Sequence, residues 1–309
     1  MPITTLFASA SSQDQAIAHL FAVVLIWMAI ILLVVAGLVT YVVIVFRRKG
    51  EGEPRQVFAN RRLEILWTAG PILLLIYIFA ATIHTMGVSD PPTDDRCPDM
   101  LVIAHQWWWE VRYLKSGIVT ANEIHLPVGE RVLAEFKSAD VIHDFWVPAL
   151  GRKVDIIPGH PNRLWIDADR AGLYLGTCAE YCGAEHAWMR IRVIAQPPAQ
   201  FETWESEQER IPPVPAVGAP AAGAVLFRQL PCITCHSIRG LTPTPDIGPD
   251  LTHVASRQTL AAGRLTNTPQ DLAAWLHDPG EFKPGSEMPN LRLSNQEIDD
   301  LVAYLETLK

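Results

Sequence analysis

The chain has 309 residues, of which 49% are hydrophobic and only 19% charged, with a formal net charge of −8. At roughly 150 residues per domain this length implies more than one domain, and the composition excludes a disordered chain while being lean in charge for a wholly soluble one. Up to residue 87 there are 6 Lys and Arg against 4 Asp and Glu; residues 88–200 carry 11 against 15, and residues 201–309 carry 8 against 14. No region past residue 87 is basic enough to follow a phosphate backbone, which argues against a nucleic-acid partner. Five cysteines are too few for a disulfide scaffold. Four of them form two tight pairs, which points to metal or cofactor chemistry.

From Leu20 to Phe46 no residue is charged, and this run of 27 residues would span ~40 Å as a helix, more than a hydrocarbon core of ~30 Å needs. A second uncharged run, Ile65–Met86, would span ~33 Å and holds Gly70 and Pro71 near its start. The spacing predicts a transmembrane hairpin over residues 20–87, with helices over about 20–46 and 64–87, after an outer tail of residues 1–19. Arg47, Arg48, Lys49, Arg55, Arg61 and Arg62 all lie between the spans, and residues 1–19 contain no Lys or Arg. The positive-inside rule then puts the loop in the cytoplasm and both termini, with everything after residue 87, on the outer face. No complete signal peptide precedes the first span. Ala8-Ser9-Ala10 reads as the tail of a cleavage site, which would put the true start upstream, although a short uncharged tail can also cross with the first helix.

Residues 88–209 read as a β domain. Strands are predicted over Leu101–Trp109, Ile118–Leu126, Val132–Phe136, Asn162–Asp167, Gly172–Thr177 and Trp188–Ile194, broken by turns such as Pro127-Val128-Gly129 and Pro158-Gly159. This pattern fits a small Greek-key sandwich or barrel. Its chemistry sits in Cys178-Ala-Glu-Tyr-Cys182-Gly-Ala-Glu-His186-Ala-Trp-Met189, with His143 upstream. Thiolates, imidazoles and a weak thioether form a copper donor set. Two Cys, two His and one Met exceed what one tetrahedral ion needs, which favours two ions sharing bridging sulfurs. Zinc is the main metal alternative, but it has no use for Met189. A disulfide between Cys178 and Cys182 would leave both histidines and Met189 unexplained.

Gln200–Arg210 reads as a short, acidic, exposed helix, and the Pro-rich stretch over residues 210–220 as a semi-extended linker. Beyond it, in residues 221–309, Cys232-Ile-Thr-Cys235-His236 is the attachment pattern for a c-type haem, both thiols adding to vinyl groups and the imidazole binding iron. Alone, this motif is also compatible with a redox or zinc site. Its context is an amphipathic helix over Ala222–Gln229 and another over Ile298–Leu308, with Leu301, Tyr304, Leu305 and Leu308 on one face. Met288-Pro289 resembles the distal-methionine loop of class I cytochromes c, and Gly248-Pro249-Asp250-Leu251 the loop beside the proximal His. His236 and Met288 are therefore read as axial ligands, Cys232 and Cys235 as thioether anchors. His253 and His277 read as surface or structural residues, and Cys97 receives no role.

The stretch from Arg62 to about Trp204 resembles subunit II of the haem–copper cytochrome c oxidases, and with the haem domain the whole resembles the caa-type, in which a cytochrome c domain is fused to the copper subunit. The ligand pattern C-x-E-x-C-G-x-x-H-x-x-M with a remote His is filled at every position. The resemblance implies a membrane-anchored chain: a two-helix hairpin, a cupredoxin-like Greek-key β domain with a dinuclear copper centre, and an all-α cytochrome c domain. By it His143, Cys178, Cys182, His186 and Met189 are side-chain copper ligands, Glu180 ligates through its carbonyl, and the Glu180 side chain reaches a magnesium ion at the boundary with subunit I. His105-Gln-Trp-Trp-Trp109 is similar to the family's aromatic string, with Trp108 in place of the usual tyrosine, and it maps the electron-accepting residue onto Trp107. Glu64, ahead of Leu66-Trp67-Thr68, resembles the acid at the mouth of a proton channel. His160 departs from the family's P-G-R, which touches local contacts but not the copper site.

The implied activity is electron input to a cytochrome c oxidase: an external donor, a soluble cytochrome c or a neighbouring respiratory complex, reduces the haem, the copper centre follows, and subunit I reduces oxygen to water with proton translocation. Implied partners are subunit I, subunit III and membrane lipid, and the implied location is the bacterial cytoplasmic (inner) membrane with copper and haem on the periplasmic face. Two other readings compete. One is the electron-input subunit of a copper-containing nitric oxide reductase; the other is a membrane-anchored copper carrier, for which five side-chain ligands are too permanent and a haem has no purpose. Quinol oxidation is set aside because the related quinol-oxidising subunits lack the copper ligands.

Overall fold

The computed structural model describes residues 9–47, 50, 59–90, 96–242 and 247–309. Arg48, Lys49 and Arg55 of the basic loop, and Ala8 of the cleavage-like string, lie outside the described residues. The chain divides into two compact units, Gln13–Pro91 and the remainder.

The first unit is a helical hairpin. Helix α1 runs over Ser12–Val45 and α2 over Arg61–Ser89, both long and apolar enough to cross a membrane. Their outward side chains, such as Leu32, Leu33 and Phe79, are exposed and apolar, as lipid contact requires. Trp27 and Tyr77 meet edge to face at 6.3 Å between the two helices. Helix α1 begins at Ser12 rather than Leu20. Absence of charge marks only the part of a helix that suits hydrocarbon, whereas Ser12 and Asp14 are good first-turn residues that continue it outside. Asn60 caps α2, its side chain accepting from the Leu63 N–H at 3.3 Å, and Pro71 is accommodated inside the helix.

The second unit opens with residues 9–12, which are not a free tail. The Ala10 N–H donates to the Ala149 carbonyl at 3.1 Å, and the Asp169 N–H donates to the Ala10 carbonyl at 2.7 Å. These residues therefore pack onto a β-sandwich of ten strands: β1 Met100–His105, β2 Trp108–Tyr113, β3 Val119–Ala121, β4 Glu123–Pro127, β5 Val132–Ser138, β6 His143–Trp146, β7 Val154–Ile156, β8 Asn162–Ile166, β9 Gly172–Cys178 and β10 Arg190–Gln196. One sheet has the order β3-β2-β1-β5-β8 and the other β4-β10-β9-β6-β7. Most neighbours are antiparallel, but β1 pairs parallel with β5 and β4 with β10. Trp109, Phe136, Phe145, Ile156 and Val193 fill the space between the sheets.

Two predicted strands are each divided. The run over residues 101–109 turns at Gln106 and Trp107, so that His105 faces Trp108 across a hairpin. The run over residues 118–126 breaks at Asn122, whose φ of +61° is tolerated by Asn. There the Asn122 side chain accepts from the Trp109 N–H at 2.9 Å, and the strand passes from one sheet to the other. Strands β6 and β7 were not predicted, because four and three residues are too few to show a period.

Helix α3, Pro198–Gln208, is not the exposed helix expected, because Phe201 and Trp204 pack it on the sandwich. The carboxyl-terminal domain follows: α4 Gly218–Gln229, α5 Cys232–Cys235, α6 Pro269–His277, α7 Pro279–Phe282 and α8 Asn295–Leu305, with two short paired strands, β11 Thr259–Leu260 and β12 Leu265–Thr266. Helix α4 begins within the expected linker, since Pro220 sits in its first turn, where a missing N–H costs nothing. Helix α8 starts earlier than predicted at a capping box, with Ser294 and Glu297 bonding each other's backbone N–H groups. Phe227 of α4 meets Tyr304 of α8 at 6.0 Å in a core completed by Ile298, Leu301 and Leu305.

Candidate metal centre and haem pocket

The Cys178–Met189 motif and His143 fold into one cluster, in which His143, Cys178, Cys182 and Met189 are buried and His186 is half-buried. Cys178 ends β9, the loop to Cys182 turns back, and a 3-10 turn over His186–Trp188 precedes Met189. The Cys178 and Cys182 Sγ atoms lie 3.8 Å apart. Each has its own imidazole: His143 Nδ1 is 3.9 Å from the Cys178 sulfur, and His186 Nδ1 is 3.6 Å from the Cys182 sulfur. Met189 Sδ is 3.8 Å from Cys182 Sγ, and the Glu180 carbonyl oxygen is 3.1 Å from Cys178 Sγ. Both cysteines are free, so the disulfide alternative is not formed. The Cys182 thiol drives the Cys178 thiol far below its ordinary value, with His143 adding to the effect, while the neighbouring thiolate and burial push Cys182 up. A soft, largely buried set with one thiolate already favoured fits copper.

Asp140, which sequence reasoning missed, supports the cluster. Its Oδ1 lies 2.7 Å from His143 Nε2, which turns Nδ1 toward the sulfurs in the way a carboxylate usually orients a ligating imidazole. Burial alone would lower the His143 pKa; Asp140 and Cys178 outweigh it and the net shift is upward. The signal available was an acid three residues ahead of the remote His. Gln106 Nε2 and Trp107 Nε1 both donate to the Cys182 carbonyl, at 2.7 and 2.9 Å. Gly183 makes room for this: its φ is +120°, and a Cβ there would come within 2.9 Å of the Trp107 ring. Trp109 is wholly buried and Trp108 stacks on His105 at 4.2 Å, so these two are packing aromatics.

The haem motif lines a cavity together with Met288, which stands in the loop between α7 and α8. Cys235, His236, Leu276, Gln106 and Trp107 share the lining, the last two from the copper domain. His236 Nδ1 faces the Pro249 carbonyl at 2.8 Å, which assigns the proton to Nδ1 and leaves Nε2 free for iron. Burial lowers the His236 pKa and keeps the ring neutral. Gly248 forms the cradle: a Cβ there would stand 2.8 Å from His236 Cε1. A covalent haem c fits these residues. His253 is buried beside Arg239 and His277 is exposed, both outside the cavity lining. Cys97 is exposed and unpaired in a disulfide, and Glu64 occupies the first turn of α2 in the hairpin unit.

Comparison with known proteins agrees with this layout. Residues 3–84 match the transmembrane domain of cytochrome c oxidase subunit II, residues 115–196 its periplasmic domain, and residues 220–309 cytochrome c. Cytochrome c oxidase subunit 2 of Alkalihalophilus pseudofirmus is 36% identical over 92% of this chain and 85% of its own length. The chain belongs to the cytochrome c oxidase subunit II family. The subunit of Bacillus subtilis strain 168 is 32% identical over 87% of this chain and 82% of its own length. The solved periplasmic domain of subunit II from Bradyrhizobium japonicum is 29% identical and covers 38% of this chain and 96% of that chain, with a TM-score of 0.36. This chain is an electron-input subunit II with a fused cytochrome c domain, and it is a membrane protein with a periplasmic domain.

Proposed function

We propose that His143, Cys178, Cys182, His186 and Met189, with the carbonyl of Glu180, hold a dinuclear copper centre, and that Cys232, Cys235, His236 and Met288 hold one haem c. The observation that carries this reading is the pair of buried sulfurs 3.8 Å apart, each with its own imidazole. Zinc would leave Met189 idle. When bound, the two groups supply one-electron storage, with His/Met ligation favouring a high haem potential. The protein's part is to hold the donors in place. Asp140 fixes the His143 ring, Pro249 fixes His236, and the sandwich core excludes water from the sulfurs.

Trp107 is proposed as the electron-accepting residue, because it borders the haem cavity while its indole N–H bonds the Cys182 carbonyl. Glu180 is exposed, which leaves its carboxylate free for magnesium at a subunit I boundary. Val141, Ile142 and Tyr181 are exposed apolar side chains next to the proposed ligands, suiting that boundary. Glu64 is proposed at a proton-channel mouth by its match to the family's acid, and Glu64→Gln then lowers oxidase turnover without altering copper or haem content. The docking of residues 9–12 on the periplasmic domain supports an outer amino terminus, and with it the inner-membrane orientation with both termini outside. The proposed domains are those read from the sequence, residues 20–87, 88–209, 210–220 and 221–309, with the hairpin extended back to Ser12 and the haem domain to Gly218, where α1 and α4 begin; the donor is a soluble cytochrome c or neighbouring complex, and subunits I and III complete the oxidase.

Rapid mixing of the assembled oxidase with a reduced donor tests the route. Haem reduction preceding copper reduction is expected. Copper reduction at the wild-type rate in a Cys232→Ala/Cys235→Ala chain lacking haem would overturn it.

A further inference from the structure

Two buried charged side chains that belong to neither ligand set stand where the copper domain closes the haem cavity. Lys283, just after α7, is 6% exposed, and its Nζ donates to the Trp107 carbonyl at 3.0 Å, with the Glu185 carboxylate in its surroundings. Glu123, at the start of β4, is 2% exposed. Its Oε1 accepts from the Gln258 N–H at 2.8 Å, the Thr259 N–H at 3.1 Å and the Thr259 hydroxyl at 3.4 Å. Weaker contacts flank these: Arg192 Nη1 donates to Gln258 Oε1 at 3.1 Å, and the Arg264 guanidinium lies 4.0 Å from the Trp188 ring centre.

Burying a lysine and a glutamate is expensive unless both are hydrogen-bonded, and such groups contribute pose rather than adhesion. A linker alone would already keep the domains at millimolar effective concentration. Directional contacts at two separate places where the domains meet do something a linker cannot, which is to select a single orientation. Lys283 reaches the backbone of the residue whose indole bonds Cys182, so the latch and the copper loop share one residue.

We propose that Glu123 and Lys283 are positioning residues that lock the haem domain onto the Trp107 face of the copper domain, making the two redox sites a fixed pair rather than a tethered pair that meets by diffusion. The inference rests on the cofactor assignment proposed above. It also means that the Trp107 face is covered, so an external donor delivers to the haem.

The test uses the assembled oxidase with Glu123→Ala, Glu123→Gln and Lys283→Met, with haem spectra and copper EPR recorded for each. In the wild type, transfer from haem to copper is expected to be independent of solvent viscosity. Losing the buried hydrogen bonds of Glu123 or Lys283 weakens docking about tenfold or more, so Glu123→Ala and Lys283→Met slow the transfer and make it viscosity-dependent, while haem reduction by the donor is unchanged. Glu123→Gln, whose amide oxygen still accepts, restores most of the rate. Hydrogen exchange reads the lock without the cofactors: the Gln258 and Thr259 amides exchange about tenfold faster or more in Glu123→Ala than in the wild type. A viscosity-dependent wild type, or unchanged exchange in Glu123→Ala, overturns the lock. Absent copper or haem with protected amides overturns the cofactor assignment instead.

Discussion

Acid should loosen helix α3, and the size of the effect follows from one histidine. His125 on β4 is stacked on Trp204 of α3 at 4.1 Å, and its Nδ1 meets Gln196 Oε1 at 2.8 Å. Burial pushes its pKa down to about 4 from an ordinary 6.5, against the opposing Gln196 bond. The folded chain therefore binds fewer protons than the unfolded chain between these values, so stability rises with pH there. The contribution is present above pH 6.5 and is lost as pH falls through the window to 4. A depression of this size is worth ~3 kcal/mol at full protonation, with ~2 kcal/mol already gone at pH 5. The link to function is that α3 ends at Gln208, whose carbonyl accepts from Arg239 Nη2 of the haem domain at 2.5 Å. Guanidinium unfolding followed by tryptophan fluorescence at pH 7 and pH 4, in the wild type and in His125→Phe, isolates the effect, because all other groups titrate in both. The wild type is expected to lose ~3 kcal/mol more than the variant on acidification. Equal losses would refute the argument that burial depresses this imidazole.

Other substitutions test the site directly. Asp140→Ala removes the carboxylate that orients His143, and copper affinity measured by chelator competition should fall ~10–100-fold, with the spectrum of the loaded centre altered. Gly248→Ala drives a methyl into the His236 ring, and this overpacking should cost ~1–3 kcal/mol and lower the haem domain's melting temperature. Ser294→Ala removes one half of the capping box on α8; a loss of ~1 kcal/mol in thermal unfolding is expected, with the haem spectrum unchanged.

Much of the site was legible because its ligands are local in sequence. Cys178 to Met189 lie within one loop, and Cys232 to His236 within one turn, so residue type and spacing alone point to soft-metal and haem chemistry. What the residues could not display was whatever depends on distant pairing. Asp140 is local to His143, three residues ahead of it, but residue type alone does not show that the two side chains meet; Lys283 reads as an ordinary surface lysine until it is found on the Trp107 carbonyl. Glu123 likewise sits in a run taken for a single strand, and its role appears only when Asn122 turns that run from one sheet to the other. The membrane helices were visible from uncharged length, but their starts were not, because capping by Asn60 and the polar start at Ser12 carry no hydrophobic signal.

The central claim is that the His143, Cys178, Cys182, His186 and Met189 set holds two coppers in electronic contact beside a covalent haem. Metal and haem quantitation of the whole chain of 309 residues, combined with EPR of its oxidised form, tests it most directly. The account predicts two coppers sharing one unpaired electron, and one haem that survives denaturation. A single copper, zinc, or a haem released on denaturation would contradict it.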